Sequence, residues 1–398
     1  MVVAILALTQ FTVVLDFMVM SPLGDLLMKD LQVKPYQFGI VVSSYALAAG
    51  LSGFLTAGFA DRFDRKRLLV FFYSGFIVGT LFCGFSNSYE QLVLARIVTG
   101  IFGGVMSSIS MAIVADLFSL NQRGRVMGFM QMGFGLSQIL GIPISLYIAS
   151  KSNWQMPFYM IVCLSLIMLL AITLGMKPVR AHLDKKTDHS AFHHLITTIK
   201  NRNYRIGFMA TAFMSLGGYF MMPWGSAFAV NNVGLSQNEL PYLFMIVGVS
   251  TFLTMPLIGL LADKINKFQL FMSASIVMIA AVLIYVQLGQ TTMFILILVN
   301  IFMMGGIMAR MVPSQALTSS VPKLHDRGAF MSINSSLQQI AGGIAAIIGG
   351  KIVWQANPNA PLMNFDVLGY VVVGVIIINI YLTRRVYLYV DRKAKEAA

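Results

Sequence analysis

Charge is what this sequence has least of. Acidic and basic residues make up 11% of its 398 residues, 15 acids against 28 bases. A soluble globular chain carries about 25% charged residues to keep its surface wetted, so a soluble enzyme is excluded. Cysteine is almost missing. Cys83 and Cys163 both fall in apolar runs, which leaves no disulfide framework. The G-x-x-x-x-G-K-[ST] phosphate loop does not occur, which argues against ATP as an energy source. The apolar runs do not alternate in segments of about ten residues, which argues against a transmembrane barrel. The opening run, Met1 to Met28, has neither a basic leader region nor a small-residue cleavage site. It reads as a first span, not a signal peptide.

Long apolar runs are what the chain has instead, and 57% of its residues are hydrophobic. A spanning helix needs roughly 20 apolar residues. Twelve such runs are predicted, six at 2–28, 36–60, 68–86, 91–117, 125–149 and 155–176 and six at 204–230, 237–262, 268–288, 292–318, 328–353 and 363–385. The fold class is all-α integral membrane, with an N-terminal six-helix bundle at 1–176, a linker at 177–203, and a C-terminal six-helix bundle with a short tail at 204–398. Connections of about three to ten residues make neighbouring spans antiparallel. Of the 28 Lys and Arg residues, 22 lie in the connections and tail of one side. The other side has Lys29, Lys34, Lys151 and Lys351, and Arg96 and Arg310 fall inside spans. This bias predicts both termini and the linker in the cytoplasm. The net charge of +13 therefore sets topology, and no nucleic-acid partner is expected.

The halves repeat each other. Ala57-Gly-Phe-Ala-Asp61-Arg62 after span 2 matches Gly259-Leu-Leu-Ala-Asp263-Lys264 after span 8, 202 residues on. Gln122-Arg123-Gly124-Arg125 before span 5 matches Asp326-Arg327-Gly328-Ala329 before span 11, 204 residues on for the arginines. Two six-span repeats around one long connection are a transporter signature.

The segment Ala57-Gly58-Phe59-Ala60-Asp61-Arg62-Phe63-Asp64-Arg65-Lys66-Arg67 resembles the loop 2–3 signature G-x-x-x-D-R-x-G-R-[RK] of the major facilitator superfamily, in its drug/proton antiporter (efflux permease) branch. Ala57 and Asp64 replace the two glycines. Asp64, and Asn266 in the repeat copy, are expected to supply a turn with positive φ. The resemblance implies that Asp61, Arg65, Asp116 and, in the repeat, Asp263 form a gate on the cytoplasmic side. Asp61 would meet the start of span 11, and Arg65 would pair with Asp116. Arg96-Ile-Val-Thr-Gly100 resembles the R-x-x-x-G signature of span 4. Arg96 has either a functional or helix-tying role, or snorkels toward Ser88-Tyr89-Glu90. Gly133, Gly135, Gly141 and Pro143 resemble a degraded form of the antiporter signature of span 5.

Asp16 is the sharpest chemical signal, a carboxylate near the middle of span 1 that is costly unless paired or neutral. A proton carrier fits, as does a structural acid bonded to a neighbouring helix. By resemblance spans 1, 4, 7 and 10 line the cavity, which puts Arg310 opposite Asp16. The expectation is an Asp16–Arg310 pair that couples protons, or a direct contact of Arg310 with an anionic substrate. A snorkelling Arg310 is the structural alternative. Cavity candidates are Arg96, Tyr45, Gln131, Gln138, Tyr219, Trp224, Asn300, Asn334 and Gln338, each equally able to tie two helices. In the linker, His189-x-x-x-His193-His194 has a metal-ligand spacing. The apolar stripe of Phe192, Leu195, Ile196 and Ile199 more plainly predicts an amphipathic helix on the inner leaflet. The expectation is thus a secondary transporter, a proton-coupled exporter of a small organic molecule in a bacterial inner membrane. It would be a monomer with lipids and protons as partners, not an enzyme, and without cofactor or metal. An uptake symporter and a non-transporting receptor or lipid-handling protein are the alternatives.

Overall fold

The computed structural model describes residues 1–56, 63–180 and 191–397. Among them are helices, turns and a single isolated bridge between Trp354 and Met363, with no strand. Eleven segments are long and apolar enough to cross a membrane. We number the spans α1 (Val2–Val19), α2 (Pro35–Thr56), α3 (Arg65–Phe85), α4 (Tyr89–Leu117), α5 (Arg125–Lys151) and α6 (Met156–Gly175) in the first half. In the second half they are α7 (Arg205–Asn231), α8 (Leu240–Lys264), α9 (Lys267–Val286), α10 (Met293–Thr318), α11 (Arg327–Ile352) and α12 (Phe365–Lys393). Of these α11 is less apolar than the rest. Its buried face is Phe330, Ile333, Asn334 and Ser336, then only Ala341, Gly342, Gly343, Ala345, Ala346, Gly349 and Gly350, and small residues win their packing by close approach instead of apolar area. All twelve are helical because a backbone in hydrocarbon must satisfy its own hydrogen bonds.

The helix starts repeat as the sequence does. Asp64 caps α3 by accepting from the amides of Lys66 and Arg67, and Asn266 caps α9 by accepting from those of Phe268 and Gln269. Their φ angles are −55° and −53°, so the expected positive φ is wrong. An acceptor side chain that satisfies the first free amides is what each position requires. In α5 the run Ser137–Gly141 widens into a π turn just before Pro143. A proline has no amide to continue the ladder, and a local widening is a common way around it.

Two seams hold the halves together. Along α2 and α11, a Cβ on Gly39 would lie 2.6 Å from the Ala346 carbonyl oxygen, and one on Gly50 would lie 2.8 Å from that of Ser336. Between α5 and α8, a Cβ on Gly248 would lie 2.8 Å from the Gln138 carbonyl oxygen, within the π turn. Hydrogen bonds between the halves gather on the face opposite the basic connections. Ser21 donates to the Met222 carbonyl, Ser226 donates to that of Ser21 at 3.0 Å, and Asp25 accepts from Asn231 at 2.6 Å and from Gln237. Toward the basic face the pairing thins. From 125 to 132, α5 is exposed or half-buried at every position except Met130.

The linker is tied to both halves. Val179 accepts from the Arg65 amide at 3.1 Å, and Arg180 meets the Asp64 carboxylate at 2.7 Å. The linker helix Ala191–Lys200 rests on the second half, with Leu195 buried among Tyr204, Phe208 and Phe330. Of its apolar stripe, Leu195 thus packs on protein and Ile196 is half-buried, while Ile199 is 38% exposed.

Candidate functional site

A buried ion pair sits where the helices of the first half converge. Asp16 on α1 and Arg96 on α4 meet at 2.8 Å, and their side chains are 0% and 1% exposed. Thr80 of α3 donates to the other carboxylate oxygen at 3.2 Å. The guanidinium of Arg96 lies 4.4 Å from the ring centre of Tyr45 on α2, a cation–π contact. Four helices thus contribute one group each. At 4 Å and an effective dielectric near 20, opposite unit charges attract by about 4 kcal/mol, which offsets part of the cost of burying both. The pair is not saturated, because Nε of Arg96 is buried without an acceptor.

An aromatic layer lies against the pair and crosses to the second half. The ring of Phe17, next to Asp16, is 5.2 Å from that of Tyr45 and 5.9 Å from that of Tyr219 on α7. Tyr219 in turn packs on α11, where a Cβ on Gly342 would lie 3.0 Å from its ring. Nearby on the same helix, Asn334 is buried with its carbonyl oxygen unpartnered. Toward the basic face, Gln10 of α1 donates to Ser107 of α4 at 2.7 Å. A charged pair with an unpartnered Nε thus meets an aromatic layer shared by both halves.

Arg310 is not part of this site. Its Nε donates to Ser275 of α9 at 3.0 Å and its Nη2 to Asn379 of α12 at 3.1 Å, and its guanidinium lies 5.3 Å from the ring of Phe271. Asn379 passes the chain on to the Ala210 carbonyl of α7 at 2.8 Å. The expected Asp16–Arg310 pair is therefore wrong. Arg96 holds Asp16, and Arg310 ties three helices of the second half. Neither arginine snorkels, since Arg310 is 2% exposed. Arg96 enters seven residues after the start of α4 and Arg310 eight before the end of α10, and since the two spans run in the same direction the arginines sit at different depths.

The remaining candidates divide. Trp224 is fully buried against Phe38 and bonds the Phe220 carbonyl, so it packs the closed face and lines no cavity. Asn300 donates within its own helix, to Leu296 at 2.8 Å. Gln338 is exposed, and only its backbone carbonyl accepts from Ser215, at 2.7 Å. Gln131 is exposed and Gln138 half-buried on α5. On the basic face Arg65 and Asp116 meet at 3.1 Å, and Asp263 is exposed near the end of α8. Asp61 lies outside the described residues, as does His189. His194 binds the Asp326 carboxylate at 2.8 Å, and Tyr204 donates to the same group at 2.6 Å. Burial pushes this carboxyl up, yet the Tyr204 and His194 hydrogen bonds outweigh it and hold it below the usual range. Neither Thr80 nor Asp326 stood out in the sequence, since a threonine in a span and an acid in a connection are each commonplace.

Twelve helices in two six-span halves, with a buried charged pair inside the first, define a polytopic membrane protein. The chain belongs to the Major Facilitator Superfamily, whose sequence pattern matches residues 6–346. It is 25% identical over 272 residues to an uncharacterized MFS-type transporter, YceJ, of Bacillus subtilis (strain 168), with 68% of each chain covered. It is 29% identical over 163 residues to Multidrug resistance protein 3 of the same organism, which covers 41% of this chain and 32% of that one. The solved structure of a D-xylose–proton symporter superposes with a TM-score of 0.77 at 17% identity, covering 95% of this chain and 96% of that chain. The fold, and the absence of enzymatic activity that goes with this family, follow.

Proposed function

We propose that the protein is a proton-coupled exporter of a small organic molecule that works by alternating access. The Asp16–Arg96 pair beneath the Phe17–Tyr45–Tyr219 layer carries this reading. A proton on the Asp16 carboxylate cancels its charge and so removes the attraction to Arg96. The guanidinium keeps its place over Tyr45, and the freed donor becomes available to a substrate acceptor. Reaching the pair requires Phe17 of α1 to part from Tyr219 of α7, so access is tied to movement of the halves. Coupling arises because protonation and separation of the halves act on the same residues. The similarity to Multidrug resistance protein 3 supports export. Arg65 with Asp116, together with Asp61 and Asp263, is assigned to a gate on the basic face. The excess of arginine and lysine there supports a cytoplasmic position for it and for both termini.

The test is transport in proteoliposomes with an imposed pH gradient. Gradient-driven movement of substrate should be present in the native protein and lost in Asp16→Asn, while substrate exchange without a gradient persists. Uphill transport that survives in Asp16→Asn would overturn the coupling role. Transport indifferent to the pH gradient in the native protein would overturn proton coupling altogether.

A further inference from the structure

On the face opposite the basic connections, a slot of about 300 Å³ opens across the seam between the halves. Lys34, Pro35 and Tyr36 line it from the start of α2, and Gly350, Lys351 and Trp354 from the end of α11. The backbones are close there, since a Cβ on Gly350 would lie 3.0 Å from the Cα of Tyr36. The ammonium of Lys351 is 5.7 Å from the Tyr36 ring centre, so one half's cation faces the other half's aromatic ring. No acid lines the slot. Its rim is apolar and open, with Tyr36 41% and Trp354 55% exposed. The segment carrying Trp354 is held in place, because Trp354 and Met363 bridge through both backbone bonds and Gln355 donates to the Ala360 carbonyl at 2.5 Å.

The chemistry of this lining is specific. This face has only four lysines in the sequence, and Lys29 is already held by Asp25 at 2.8 Å. Two of the other three converge on one slot. Exposed tryptophan and tyrosine at span ends mark the headgroup level of a bilayer, and paired lysines at that level attract anionic lipid. We propose that the slot binds the headgroup of an anionic phospholipid, and that the bound phosphodiester, bridging Lys34 of one half and Lys351 of the other, holds this face closed. Mutual repulsion of the two lysines would otherwise push the halves apart. Membrane composition would then set the balance between the two access states.

Trp354 supplies the readout, because Trp154 and Trp224 are buried at 2% and 0% exposure. The full chain is placed in phosphatidylcholine nanodiscs containing either brominated phosphatidylglycerol or brominated phosphatidylcholine. Trp354 fluorescence should be quenched more strongly by the anionic lipid. Each of Lys34→Gln and Lys351→Gln should weaken the apparent lipid affinity about fivefold, whereas Lys151→Gln, which removes a charge from the same face outside the slot, should leave it unchanged. Equal quenching by the two lipids, or an equal effect of Lys151→Gln, would overturn the site. Displacement of the brominated lipid by millimolar inorganic phosphate would overturn the lipid assignment in favour of a free anion. For closure, Ser226→Cys should react more slowly with an impermeant alkylating reagent as phosphatidylglycerol is added, and the effect should vanish in Lys351→Gln. A rate independent of lipid would overturn the clamp.

Discussion

At the scale of single residues, the ion pair makes the sharpest predictions. Removing one member of a buried pair leaves an uncompensated charge and costs about 3–5 kcal/mol. Replacing both with apolar groups of similar size costs far less. Asp16→Leu and Arg96→Met should each lower the melting temperature in detergent, and the double variant should melt higher than either single one. Additive losses would mean that Thr80 and Tyr45, not the partner, satisfy each charge. Arg310 predicts the opposite behaviour. Its contacts with Ser275 and Asn379 lie in the other half, so Arg310→Met and Asp16→Asn should combine additively in melting temperature and in the rate of exchange without a gradient, with no shift of the pH profile in Arg310→Met. A shifted profile would restore the link between the two. The sequence made both charges visible, because an ionised side chain in a span stands out at once. It did not say who faces whom. Partner choice depends on depth and helix rotation, and an acid on one span with two arginines on others leaves two pairings open until the helices are placed.

Between helices, the legible part was period and repeat, and the illegible part was what each break does. Twelve spans can be counted from apolar runs of about 20 residues, and α11 counts although small residues lower its apolarity. The role of Asp64 could not be read the same way. A glycine position filled by Asp fits a left-handed turn or a helix cap, and only the backbone separates them. The cap has a pH signature. Burial pushes the Asp64 carboxyl up, but the bonds from Arg180 and from the amides of Arg67, Lys66 and Val179 outweigh it and hold it below the usual range. A depressed carboxylate stabilises the fold above its unfolded value near 3.9, and that stabilisation is lost as pH falls through the folded value. Asp64→Asn keeps an acceptor for the cap and loses the charge. Its melting temperature should lie below the native one at neutral pH, and the gap should close as pH drops below about 4. A gap that persists in acid would show that shape, not charge, is what the variant loses. Helix contact predicts a second effect. In Gly50→Ala the new methyl meets the Ser336 carbonyl at 2.8 Å and Ile340 at 2.6 Å, so α2 and α11 must shift, at about 1–3 kcal/mol. Gly259→Ala, with nothing within 4 Å, should not lower the melting point, since alanine is also the better helix former.

For the whole molecule, the asymmetry of its two faces decides which way the halves move. The sequence located the faces through the placement of lysine and arginine, which needs no structure. It did not reveal that the closed face is organised around Asp25, since an acid three residues from the end of the predicted first span, 2–28, reads as lying at the water boundary. Asp25 is buried and collects Asn231, Gln237 and Lys29, while Ser226 bonds its amide at 3.4 Å. Three of these four partners come from the second half, so one carboxylate holds the ends of α1 and α7 together. Asp25→Ala removes the acceptor common to Asn231 and Gln237 and leaves their half-buried donors unpaired, at up to about 1–3 kcal/mol each. Part of that cost disappears if the face opens and water reaches them. The variant should therefore populate a state open on this face. Hydrogen–deuterium exchange separates opening from local fraying. If the halves part, exchange should quicken both at 222–237 and at 336–350 of α11, which touches α2 but not Asp25. Faster exchange confined to 222–237 would make the network a local tie. An unchanged pattern would place the closing force in the α2–α11 contact, where Gly39 and Gly50 bring the two backbones together.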